Sequence, residues 1–392
     1  MNRRDFLQLT GWSLACRSTL AAQRAEAQTA TPGPIVETTT GRLRGLALNG
    51  AITFKGIRYG ASTAGANRFQ PAVKPSSWTG VVDAFEYGPR AWQPSRPMIP
   101  EIGDALTGSG PMDEDCLRLN VWTPATGRSD RPVMVWFHGG GQRTGSGNSI
   151  FYDGTALARN HDVVVITVTH RLNALGYLWL AGLTGVSERF SRTANLPLAD
   201  LVLALEWVRD NVERFGGNPR NVTIFGQSGG GGKVAMLTAF PAAKNLFHRA
   251  IIMSTLADTA VTGQEPSRAI EAAEALLTRL GSRATSAEAL LTMPAEQIVS
   301  AMGTGAGGDL SLRFVPVVDG RTLPSHPFDP VASDLSATVP LIVGSNECEG
   351  IPYGNPDDPY WKSEPTTFAE LRDHVKRIVP SSDHDADRLI AI

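Results

Sequence analysis

Residues 222–240 read VTIFGQSGGGGKVAMLTAF. A short β-branched run ends at Gly226, a serine stands among glycines, and Lys233 opens an apolar, helix-like segment. Two chemistries use such a stretch. One is a glycine-rich cradle for phosphates. The other is a sharp strand-to-helix turn that presents a serine as a nucleophile. Spacing separates them. A phosphate-binding loop has glycine six residues before its lysine and a hydroxyl residue just after it. Here those places hold Gln227 and Val234. The dinucleotide spacing Gly-x-Gly-x-x-Gly, started at Gly230, meets Ala235 at its last place. The five residues from Gly226 to Gly230 instead have the form Gly-x-Ser-x-Gly. A strand precedes them and a helix follows, which is the context the nucleophile turn needs. The steric demand is that the residues two before and two after Ser228 approach closely, so both must be small. A helix start behind the serine also offers unpaired N–H groups and a positive dipole end, which favour an anionic oxygen.

The surrounding sequence supplies more strands of the same kind. VMVWF (133–137), VVVITV (163–168), AIIM (250–253) and PLIV (340–343) are short, continuous and rich in branched residues. That is the look of parallel strands buried on both faces. Between them, 200–215 places Leu201, Leu205, Val208, Val212 and Phe215 on one helical stripe. Strand and helix alternate, which predicts an α/β fold with a large, mostly parallel central sheet flanked by helices. The front part is choppier. GRLRG, ITFKGIRYG and LRLNVWTP read as a small antiparallel N-terminal sheet.

Composition fits that picture and excludes others. The 392 residues are 42% hydrophobic and 19% charged, with a net charge of −2. No basic surplus is available to neutralise phosphates, so nucleic acid is not an expected partner. No apolar run is long enough to span a membrane. Three cysteines are too few for a disulfide framework. Residues 1–27 differ from the rest. Paired Arg3 and Arg4, a weakly apolar stretch and Ala25-Glu26-Ala27 read as a twin-arginine export signal with a small-residue cleavage site. The expectation is an exported protein, periplasmic or extracellular, with one domain over 28–392.

A second glycine stretch, His138-Gly139-Gly140-Gly141-Gln142, follows the strand run at 133–137. Its backbone can turn N–H groups toward one point and, with the amide after Ser228, form an oxyanion hole. With both turns in place, the chain resembles the type-B carboxylesterases, the serine esterases that include cholinesterases and bacterial para-nitrobenzyl esterases. The resemblance also rests on FKGIRYG (54–60), RFQP (68–71), WTGVVDA (78–84), EDCLRLNVW (114–122), RLNALGYL (171–178), the helix segment 195–219 and FVPVVDG (314–320). It implies an α/β-hydrolase fold, a small-molecule ester substrate, and no metal or organic cofactor. Carried over, it makes Ser228 the nucleophile, Gly140, Gly141 and Gly229 the oxyanion amides, Glu349 the acid, and Ser254 a supporting serine beside the acid. Glu349 is preferred to Glu347 because Gly350 follows it. Arg68 and Glu114 match a structural ion pair.

The chain also departs from the pattern. The resemblance implies a histidine far beyond the acid, in a loop after another strand. Here only His374 and His384 follow Glu349, within helix-like sequence that runs uncapped to Ile392. This reads as a C-terminally interrupted domain, and little esterase activity is expected of the sequence as it stands. A non-enzymatic, esterase-like binding protein is the alternative. Ala91 stands where many relatives have a cysteine that pairs with the position of Cys116. Gln142 and His170 replace aromatics, which predicts a more polar acyl side. Gly229 replaces alanine, which predicts a looser turn.

Overall fold

The structure, a computed structural model, describes residues 30–94, 110–255, 263–303, 312–329 and 331–346, with Ala105, Thr107, Gly108, Thr367, Ala369 and Arg372. The chain divides into two units, Met1–Gly344 and Ser345–Ile392. The first carries the elements below.

Among the described residues there are ten strands: β1 (Thr31–Glu37), β2 (Arg42–Leu48), β3 (Ala51–Arg58), β4 (Val81–Asp83), β5 (Arg118–Thr123), β6 (Arg131–Phe137), β7 (Val164–Thr169), β8 (Gly217–Gln227), β9 (Arg249–Met253) and β10 (Leu341–Gly344). They lie in one sheet, ordered β1-β2-β3-β5-β7-β6-β8-β9-β10, with β4 on β2. The pairs β7·β6, β6·β8, β8·β9 and β9·β10 are parallel. Each run singled out after residue 130 is therefore a strand of the parallel part. Front strands β1, β2, β3 and β5 pair antiparallel, as predicted, while β4 pairs parallel with β2, and none of them forms a separate sheet. β5 pairs antiparallel with both β3 and β7 and joins the two regions edge to edge. Every residue of β5 and β7 is buried, so neither strand has an open flank at which the sheet could divide.

Helices cover the sheet. Leu196–Asn211 and the short 3-10 turn Val212–Phe215 contain the predicted stripe, whose five residues are fully buried. Gly216, at φ 89°, ends the turn. The helix Gly229–Thr238 starts directly after Ser228 and is buried along its whole length. A second apolar cluster gathers Tyr177, Leu180 and Phe190 with residues of the helices Pro266–Arg279 and Ala295–Ala301. Most of the region 265–302 is helical. β10 is the exception to the burial rule. Leu341, Ile342 and Val343 are exposed; among the described residues β10 ends the strand order and its one strand partner is β9.

The ion pair at the front is present, with Arg68 buried and Glu114 partly so. Arg68 Nε donates to Glu114 Oε1 at 2.7 Å, and its Nη2 donates to Oε2. Arg68 Nη1 also caps the carbonyls of Leu290 and Met293, which ties the front loops to the helical region.

Candidate active site

β8 ends at Gln227 and the helix begins at Gly229, so Ser228 makes the whole turn. Its φ is 56° and ψ −129°, outside the regions an L-residue prefers. Such a conformation costs about 1–3 kcal/mol and persists only where the surroundings impose it. They do so from both sides. Ser228 N donates to Met253 O at 2.9 Å, and Ser228 O accepts from Gly232 N and from the Thr255 hydroxyl. The small residues are obligatory. A Cβ on Gly226 would lie 2.5 Å from the Gly230 carbonyl carbon, and one on Gly230 would lie 2.1 Å from Phe137 O.

The second glycine turn lies against the first. A Cβ on Gly139 would touch the Ser228 Cβ at 3.4 Å, and one on Gly229 would meet Gly141 N at 2.8 Å. Gly229 is thus a point of close approach and not a loosening of the turn. Gly140 (φ 101°) and Gly141 (φ 60°) take left-handed conformations. Among the described residues, the N–H groups of Gly140, Gly141 and Gly229 have no acceptor. The two turns therefore bring three unused amide donors to the neighbourhood of one serine. Ser228 is itself half-buried, and its hydroxyl makes no hydrogen bond among the described residues.

Gln142 does something other than its sequence position predicts. Its amide does not add polarity to an acyl pocket, because it is fully buried and used at both ends. Nε2 donates to Gly229 O at 3.1 Å, and Oε1 accepts from the Tyr177 hydroxyl at 3.0 Å. His170 likewise lies in the interior. It stacks on His138 with ring centres 4.8 Å apart and planes 13° from parallel. Each Nδ1 faces a carbonyl, Gly139 O for His138 and Arg171 O for His170, so each carries its proton there. Burial holds both imidazoles well below the usual histidine range, with Lys233 adding to the effect.

Two further groups escaped sequence reading. Lys233 is fully buried, donates to His138 O at 2.8 Å, and is brought down to about 7 by burial. A lysine within a glycine and apolar helix was the available signal. Arg171 forms a buried bidentate pair with Asp200, Nε to Oδ2 at 2.9 Å and Nη2 to Oδ1 at 2.6 Å. That pair anchors the segment leading to Asn173, whose N–H holds Gln142 O at 2.9 Å.

Ser254 follows Met253, the residue whose carbonyl holds Ser228, and is also left-handed, at φ 48°. Its N–H donates to Gly344 O at 2.7 Å. The predicted acid Glu349, its rival Glu347, Cys348, His374, His384 and the segment 1–27 lie outside the described residues. Cys116 is buried and unpaired, and burial pushes its thiol far up. A cleft of about 420 Å³ between Trp78 and Arg118 contains none of the residues of the two glycine turns.

The sequence model of the Carboxylesterase family matches residues 32–377. The chain belongs to the carboxylesterase family. It is 38% identical over 326 residues to the phenmedipham hydrolase of Pseudarthrobacter oxydans, an alignment covering 81% of this chain and 62% of that protein. It is 37% identical over 327 residues to the para-nitrobenzyl esterase of Bacillus subtilis (strain 168), covering 82% and 64%. Among solved structures, the Geobacillus stearothermophilus carboxylesterase EST55 superposes with a TM-score of 0.77 at 36% identity, over 91% of this chain and 69% of that one. The fold is that of the α/β-hydrolase carboxylesterases. This family member spans less than two thirds of the length of the two curated relatives above.

Proposed function

We propose that Ser228 is the nucleophile of a small-molecule carboxylic ester hydrolase working through an acyl-enzyme, with turnover weak in this chain unless His374 or His384 supplies the base. Ser228 Oγ adds to the ester carbonyl carbon while its proton passes to a base. The carbonyl oxygen becomes negative and receives N–H donors from Gly140, Gly141 and Gly229. Collapse expels the alcohol, and water then attacks the acyl group to release the acid and restore the serine. Donors fixed in advance favour the charged state over the ester, so they lower the barrier and not only the binding energy. Removing one such donor from a hydrolase typically costs about 2.7–4 kcal/mol. Glu349 orients the base in this reading, and Ser254 supports it.

The observation that carries the reading is the convergence of a left-handed Ser228 with three amides lacking acceptors. A pure binding protein has no use for a serine held at that cost. The names of the relatives, a phenmedipham hydrolase and a para-nitrobenzyl esterase, support small ester-like substrates. The test is turnover of a short-chain nitrophenyl ester by the full chain. Hydrolysis that disappears in Ser228→Ala supports the assignment. Equal rates in both proteins would remove it. Alanine at His374 and at His384, taken one at a time, tells whether either supplies the base.

A further inference from the structure

The loop Gly139–Gly141 has no side chains with which to hold itself. Glycine backbone is the most freely moving in the chain, yet these amides are useful only if they stand still relative to Ser228. Gly139 O faces His138 Nδ1 and Gly140 O accepts from Arg143 N and Thr144 N, which shapes the loop, and the residues on either side of the glycines tie it to the helix after Ser228. Before them, the carbonyl of His138 accepts from Lys233 Nζ at 2.8 Å. After them, Gln142 Nε2 donates to Gly229 O at 3.1 Å, with Tyr177 holding the other end of the same amide. Lys233 and Gly229 belong to one helix, the one that starts directly after Ser228. The loop is therefore tied at both ends to the element that sets the serine.

Lys233 is an expensive way to make one hydrogen bond. It is fully buried, and no carboxylate pairs with it among the described residues. The titratable groups that feel its charge are His138 and His170, both without a partner at Nε2 among the described residues. A methionine would fill the same space without the desolvation cost. We infer that Lys233 and Gln142 are positioning residues, which clamp the Gly139–Gly141 loop in register with the helix after Ser228. They act on the reaction through the amides of Gly140, Gly141 and Gly229 and touch no substrate. The inference rests on the ester-hydrolase reading above and adds the residues that hold its oxyanion hole in place.

The experiment compares wild type, Lys233→Met and Gln142→Met, each as the full chain, by two measurements. Backbone amide exchange is followed in a peptide spanning 140–146, at the Arg143 and Thr144 amides that donate to Gly140 O. Reaction with a fluorophosphonate ester is followed for its maximal rate and half-saturating concentration. Both variants should exchange in the loop at least tenfold faster, with β6–β8 unchanged. Displacing a reacting group by about 1 Å costs about 100-fold, so the maximal rate should fall by about that factor at a half-saturating concentration within twofold of wild type. A change confined to overall stability, with loop exchange and maximal rate unaltered in either variant, overturns the clamp. If Lys233→Met does not fold, Gln142→Met decides by the same readouts. If wild type does not react at Ser228, the hydrolase reading fails, while the exchange measurement still decides the clamp.

Discussion

At the scale of single residues, the site concentrates costs that the rest of the fold must carry. Ser228 sits in a left-handed conformation that its neighbours impose. Lys233 is held where an ammonium is poorly solvated, and the consequence is measurable as a function of pH. Its folded value is about 7, against 10.5 for the free side chain. Below about pH 7 folded and unfolded chains both carry the proton, and the full desolvation cost weighs on the folded state. Between about 7 and 10.5 the unfolded chain keeps the proton while the folded one releases it, so stability rises with pH. His138 and His170 are already neutral in this range, since burial holds both low. Relative to Lys233→Met, wild type should gain stability through this window with a slope of up to about 1.4 kcal/mol per pH unit. Urea unfolding at pH 6, 7, 8 and 9 checks it. A flat difference would mean that the lysine is solvated or paired.

At the scale of elements, the two glycine turns are defined by what lies next to each position. Gly230 and Gly141 make the contrast. A methyl group at 230 would overlap Phe137 O, whereas at 141 it would meet nothing within 4 Å. Gly230→Ala should therefore cost about 1–3 kcal/mol through overpacking and disable the serine with it. Gly141→Ala should cost about 1–2 kcal/mol, from its left-handed backbone alone, and leave the elbow intact. Circular dichroism melts of the two variants, with Ser228 labelling alongside, separate these effects. The elbow was legible in sequence because its steric rule is local: a strand, small residues at ±2, then a helix. The roles of Gln142 and His170 were not, because each depends on a partner far along the chain. Gln142 meets Gly229 and Tyr177, and His170 meets His138. Residue type alone made them polar substitutes for aromatics, while the contacts make them interior fittings.

At the scale of the molecule, periodicity revealed the strands, but edge pairing decided the sheet. Nothing in GRLRG or LRLNVWTP tells whether the antiparallel strands stand apart or join the parallel ones. The buried β5, paired on both edges, does. PLIV shows the converse limit. Leu341, Ile342 and Val343 formed the expected strand, yet all three are exposed, since burial depends on what packs against a strand. The Arg171–Asp200 pair links the helix Leu196–Asn211 to the segment whose Asn173 holds Gln142, next to the Gly139–Gly141 loop. Asp200→Asn leaves Arg171 buried without its counter-charge and should cost about 3–5 kcal/mol. A midpoint in urea within error of wild type would show the pair to be dispensable. Ester hydrolysis by this chain depends on Ser228 being an activated nucleophile beside amides that have no acceptor among the described residues. The most direct test is a fluorophosphonate adduct, located by mass spectrometry of the tryptic peptide 221–233. The expectation is one adduct, on Ser228, and none in Ser228→Ala. An unmodified peptide, or a label elsewhere that survives Ser228→Ala, would contradict it.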